Sequence, residues 1–214
     1  MNIKDLSLVG AIALVTACSS APTPQDTDRL TQDIMKASFR EQGIAKLDRI
    51  AQDDVQKACS ADTPPTDAVT KQLEAAQLAT VQWPKDDVYL GDWREGEKLA
   101  QNGRGGTWSD PVGAPAGGNC YNCHQISKAE ISFGTIGPSL YQYGKLRGVA
   151  NPADPANASS MAIVQYTWAK LWNAKAYNAC SGMPRFGHAG VLTQAQIKDL
   201  MALLLDPKSP VNAQ

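Results

Sequence analysis

Apolar residues return at helical intervals in several stretches of this 214-residue chain, and no stretch shows the sustained alternation of a half-buried strand. The clearest case lies near the end. Thr193-Gln194-Ala195-Gln196 reads as a capping box, Ile197, Leu200, Met201, Leu203 and Leu204 form a broad apolar face, and Pro207 stops the helix. Before it, Met161, Val164, Trp168 and Leu171 mark a helix over 159–172. Asp92, with Glu95 three positions on, caps a shorter one over 93–101 that turns Leu99 and Ala100 inward. Further upstream, Val69, Leu73, Ala76 and Thr80 share a face over 67–81, and Leu30, Ile34, Phe39, Ile44, Leu47, Ile50 and Val55 predict one or two amphipathic helices over 29–57. The pattern predicts an all-α protein without repeats.

Between these stretches lie breakers. Thr63-Pro64-Pro65-Thr66 and Trp83-Pro84 bound the 67–81 helix, and the Gly- and Pro-rich run 103–119 and the segment 173–190 read as long loops. Residues 19–27 are a Ser/Thr/Pro leash. Ahead of it, Lys4, an apolar run from Leu6 to Val15 and then Val15-Thr16-Ala17-Cys18 have the form of an export signal, too short to span a bilayer. Small residues before a cysteine are similar to the lipobox of bacterial lipoproteins, in which Cys18 becomes the first mature residue and carries lipid. Ordinary signal cleavage with an incidental Cys18 is the competing reading. Both send the chain out of the cytoplasm, and the first, which is preferred, gives a periplasmic location anchored by lipid on Cys18. Twenty basic and twenty-one acidic residues give a net charge of −1, which provides no bulk field for nucleic acid or an acidic membrane surface. Aromatics make up only 7%, and a small core of this kind needs a supplement.

Cys120-Tyr121-Asn122-Cys123-His124 names that supplement. Cys-x-x-Cys-His is the spacing at which two thiols capture the vinyl groups of one haem while the next residue offers its imidazole to the iron. A zinc site would want a second ligand pair, and the chain has only the scattered Cys59, Cys180 and His188 to offer. A thioredoxin-like pair would want a βαβ setting, for which there is no pattern. One covalent haem c, with Cys120, Cys123 and His124 as its attachment set, is therefore expected. The organisation becomes a lipoprotein-type signal (1–17), a leash (18–28), a helical extension (29–86) and a small class I-like cytochrome c domain (87–214). With Cys18 assigned to lipid and two cysteines to haem, Cys59 and Cys180 remain as an even pair in an oxidising space, and a disulfide between them is expected. A free reactive thiol at Cys180 is the alternative.

The second axial position has five candidates: Met183, His188, Met161, Met201, or no ligand. Met161 and Met201 lie on apolar helical stripes, where methionine fills core. Met183 lies in a loop beside Pro184, which stiffens the backbone, as in class I cytochromes c. Met183 is preferred, and His/Met ligation suits electron transfer. His188 reads as a neighbour of Met183, and Arg185 as a cation for a haem propionate or an anionic partner, or as a solvated loop arginine.

Cys180-Ser181-Gly182-Met183-Pro184-Arg185-Phe186-Gly187-His188, with Leu192-Thr193 and the closing Asp206-Pro207-Lys208-Ser209-Pro210-Val211-Asn212, resembles the SoxX cytochromes, the c-type subunits of SoxAX complexes in sulfur oxidation. Gly134-Thr135-Ile136-Gly137-Pro138-Ser139-Leu140 and Tyr143-Gly144 agree, and Pro138 resembles the proline whose carbonyl accepts the proximal imidazole N–H. The likeness runs from about residue 87 to 212 and more loosely back to Cys59. It implies His124 and Met183 as iron ligands and a heterodimer with a SoxA-like cytochrome. It also implies a place in an L-cysteine S-thiosulfotransferase that couples thiosulfate to a cysteine of a SoxYZ-like carrier. The reacting cysteine in that family belongs to the partner subunit. This chain would be a non-catalytic relay passing electrons to a small soluble cytochrome c. The lipobox departs from the usual soluble form of the family. A stand-alone, lipid-tethered electron-transfer cytochrome for another dehydrogenase is the alternative, and an open-iron sensor is a third.

Overall fold

The computed structural model describes residues 23–153 and 157–213. The signal, the lipobox and Cys18 lie outside the described residues. Among the described residues seven α-helices follow in order: α1 (Pro24–Ser38), α2 (Asp54–Ser60), α3 (Asp67–Leu78), α4 (Trp93–Gln101), α5 (Tyr143–Leu146), α6 (Ala158–Trp172) and α7 (Gln194–Leu205). Among the described residues there is no strand, so the protein is all-α. No helix among them is long and apolar enough to cross a membrane.

The described residues up to 40 and those from 41 onward form two units. The first contributes α1, which starts inside the stretch read as a leash. Pro24 occupies the first turn, where its missing N–H costs nothing, and Thr23 and Asp26 cap each other reciprocally. Leu30 and Ile34, spaced to share a face, are both more than half exposed. In the second unit the helical segment 41–86 and the residues from 87 onward fold together.

The core of the second unit is built around α7. Its capping box, Thr193 with Gln196, is formed, and Ile197, Leu200, Met201, Leu203 and Leu204 are all buried. Each such side chain contributes on the order of 1.5–3 kcal/mol through removal from water. α4 packs against α7 with small residues at the crossing: Gly96 leaves no room for a Cβ beside the Asp199 carbonyl, and Ala100 is fully buried. The entry to α4 is fixed on α7 by Gly91 N–H to Lys198 O (2.9 Å) and Asp92 N–H to Asp199 Oδ1 (2.9 Å). α6 supplies Val164, Trp168 and Leu171, with Trp168 edge-on to Tyr89 and its indole N–H donated to Gln82 O at 3.0 Å. At the C-terminus, Asn212 joins α5 to the end of α7. Its Oδ1 accepts from Gly144 N and Lys145 N, and its Nδ2 donates to Leu204 O and Asp206 O.

Candidate functional site

Cys120, Tyr121 and Asn122 form a single 3-10 turn, entered through Asn119 in the left-handed region (φ 49°), a conformation asparagine tolerates. The glycine-rich run before it is fastened to the end of α4 rather than looping freely. Gly118 N–H bonds Leu99 O at 2.8 Å, Asn119 N–H bonds Asn102 O at 3.0 Å, and Gly117 lies so close to Asn102 that a Cβ would overlap it. The turn then closes with His124 N–H to Cys120 O at 2.9 Å. Cys120 and Cys123 are free thiols, both partly buried. Burial pushes the Cys120 thiol up to about 12, so it stays protonated. That is the reverse of the lowered pKa by which redox-active Cys-x-x-Cys pairs attack disulfides.

After the turn the chain folds back over His124. Gly134 N–H bonds Tyr121 O and Gly137 N–H bonds Cys123 O, each at 2.8 Å, and a Cβ on Gly137 would run into the imidazole ring. His124 Nδ1 lies 2.7 Å from Pro138 O. A carbonyl only accepts, so Nδ1 carries the hydrogen, which in the neutral ring leaves the lone pair on Nε2, the tautomer of a metal-ligating histidine. The same fold-back carries Ile131, Phe133 and Ile136, which are exposed, Ile131 at 96% and Ile136 at 88%. Cys120, Leu140 and Met183 all pack against the margin of the main core. Two thiols, an imidazole nitrogen and uncovered apolar side chains at this turn fit what a covalent haem would need, while Met183 packs against the same core from another loop.

Glu97, which the sequence pattern does not single out, ties the turn to α4. It accepts from Tyr121 Oη at 2.9 Å and Gln101 Nε2 at 3.0 Å, while its Oε2 is buried without a partner. Burial and this carboxylate together push the Tyr121 phenol well above its ordinary range. Only a tertiary contact makes Glu97 visible.

The loop carrying Met183 is tied to the segment 53–80. Cys180 is disulfide-bonded to Cys59, with Cα atoms 5.4 Å apart and a separation of 121 positions in sequence. Arg185 faces Asp53 at 2.6 Å and Gln77 Oε1 at 3.3 Å with only 14% of its side chain exposed. It is neither a solvated loop arginine nor a free cation. Burial raises the Asp53 carboxyl, but the Gln56 amide and Arg185 outweigh this and hold it below its usual value. Asn173 Nδ2 donates to Gln77 Oε1 at 2.9 Å and Thr80 Oγ1 at 3.0 Å, and Ala179 N–H to Glu74 Oε1 at 3.2 Å. His188 Nδ1 lies 3.1 Å from Thr80 Oγ1; burial and the neighbouring Arg185 push its pKa down. Of the competing methionines, Met201 is fully buried in α7 and Met161 packs against the core from α6.

Two further features lie apart from the motif. A cavity of about 730 Å³ is bounded by Trp83, Trp172 and Leu192, and the Trp172 indole N–H is buried without a partner. Among the described residues no three His, Cys, Asp or Glu side chains gather as a metal-ion site, and Cys59 and Cys180 are committed to each other.

No protein-family model matches the chain. It is similar over nearly its whole length to a protein of Aquifex aeolicus (strain VF5) described as an uncharacterized lipoprotein, with 37% identity over 224 residues covering 99% of this chain and all of the relative. At that identity and coverage, the chain belongs to the same family as this lipoprotein.

Proposed function

We propose that the protein is a lipid-anchored, monohaem c-type cytochrome of the periplasm that relays electrons, acting as the SoxX-type subunit of a thiosulfate-oxidising complex. The observation that carries the haem assignment is the Cys120-x-x-Cys123-His124 turn with His124 Nδ1 held by Pro138 O. Cys120 and Cys123 would hold the group through thioethers, and His124 Nε2 and Met183 Sδ would be the ligands to its iron. Bound there, the haem supplies a one-electron couple. Pro138 O keeps His124 in the liganding tautomer, and Met183 as a second ligand would leave the iron no open position for substrate. The chain thus transfers electrons without itself binding thiosulfate. In this reading a SoxA-like cytochrome forms the thiosulfate–cysteine bond on a SoxYZ-like carrier, and a small soluble cytochrome c accepts the electrons released. Support for that assignment comes from the segments 134–140 and 180–188. The lipoprotein relative supports an anchor on Cys18.

A tether also suits the second reading, a stand-alone cytochrome shuttling for another membrane dehydrogenase. The deciding experiment purifies the native protein from membranes. Haem staining on a denaturing gel should persist in the wild type and vanish in Cys120→Ala/Cys123→Ala. A second cytochrome should co-purify, and deletion of the chain should lower thiosulfate consumption. A stable monomer, with thiosulfate consumption intact in the deletion strain, rejects the complex and leaves the shuttle.

A further inference from the structure

We propose that α2 and its cap form a clip that positions Met183, so that Asp53 and Cys59 act on the iron's second axial ligand without touching it. The proposal rests on Met183 being that ligand. Met183 lies between two residues anchored on one short helix. Cys180, three positions before it, is bonded to Cys59 near the end of α2, and Arg185, two positions after it, is paired with Asp53, the N-cap of α2. The helix is itself fixed, with Asp53 and Gln56 capping each other and Val55 buried at 1% exposure.

A methionine side chain has three rotatable bonds and no charge, so its position must be imposed through the backbone that carries it. Pro184 stiffens one side of that backbone. The clip fixes both ends of the six-residue stretch 180–185; α3 adds ties further out at Asn173 and Ala179, and Thr80, just past its end, adds one at His188. A loop held this way has a high cost of opening locally; released at one end, it opens without global unfolding. Asp53 and Cys59 are thus positioning residues for an axial ligand more than 120 positions away in sequence.

The test follows the ferric holoprotein through a denaturant titration by two signals: the weak red charge-transfer band of Met–Fe(III), and helical circular dichroism. Asp53→Asn keeps a capping acceptor for Gln56 N–H but removes the charge facing Arg185. Cys59→Ser/Cys180→Ser removes the other end. Lys57→Ala, on the exposed face of α2, is the control. In the wild type the two signals should be lost together. In Asp53→Asn the band should be lost at lower denaturant than the dichroism, with the Met183-off population raised about tenfold, the effect of losing one charge-assisted bond. The serine variant should separate the signals further, and Lys57→Ala should leave them coincident. If both midpoints fall together in the variants, the clip contributes only to stability and the proposal is overturned while the ligand stands. A wild-type protein without the band removes the ligand and the proposal with it. Should the serine variant fail to accumulate, Asp53→Asn decides alone.

Discussion

His124 is held by residues at most 14 positions away, whereas the ties of the Met183 loop to the segment 53–80 span 93 to 132 positions. On the His124 side, a tight turn, two glycines at points of close backbone approach and one carbonyl suffice. Closing such short loops costs little chain entropy, and the geometry is set wherever the local sequence is intact. On the Met183 side, the loop's position depends on a helix from the other end of the unit being in place. The two flanks of the proposed haem site therefore differ in what each can survive: the first fails only when its own residues change, the second whenever the fold around it loosens.

The comparison can be broken in three ways. The largest effect is expected from Cys59→Ser/Cys180→Ser, which frees a closed loop of 121 positions and should cost about 4–5 kcal/mol on the chain-entropy argument. Chemical denaturation read by circular dichroism measures it. The loss should fall on the distal side, with the haem-stained band on a denaturing gel unchanged. Gly137→Ala should cost about 1–3 kcal/mol, because the methyl must displace the His124 ring from Pro138. Here the imidazole ligation spectrum should change while the midpoint of Cys59–Cys180 reduction stays put. The smallest effect concerns pH. The folded Asp53 carboxyl lies below its ordinary value, so its contribution is present above that value and lost as pH falls through the depressed one. The stability difference between wild type and Asp53→Asn should therefore be constant at neutral pH and shrink in acid below about pH 4. A difference that grew in acid would contradict the Arg185–Asp53 pairing.

How much of this the chain discloses follows the same division. The faces of the 159–172 and 193–204 helices were legible because burial there follows a 3.6-residue period, and Val164, Trp168, Leu171, Ile197 and Leu200 are buried as that period requires. The disulfide was reachable by sorting cysteines between compartments. By contrast, the face of the 67–81 stretch misleads. Val69 is 41% exposed, and beside Thr80, which the predicted face does include, it is the polar Glu74 and Gln77 that meet the Met183 loop. Hydrophobic periodicity carries no information about polar side chains that find partners a hundred residues away. For the same reason Arg185 could be placed near the site but not paired with Asp53, and Glu97 passed as an ordinary residue of an amphipathic helix. The short α5 is set by Asn212 from the far end of the chain, which no local window contains.

The Cys59–Cys180 bond also makes the chain a covalent ring with two tails, and the Cys120–His124 turn lies on the ring. The exposed stretch around Trp108 and Val112 is on the ring as well. A protease that cuts there opens the ring without releasing a fragment. The piece bearing α7 and Met183 stays joined to the piece bearing α2, and the two separate on a gel only after reduction.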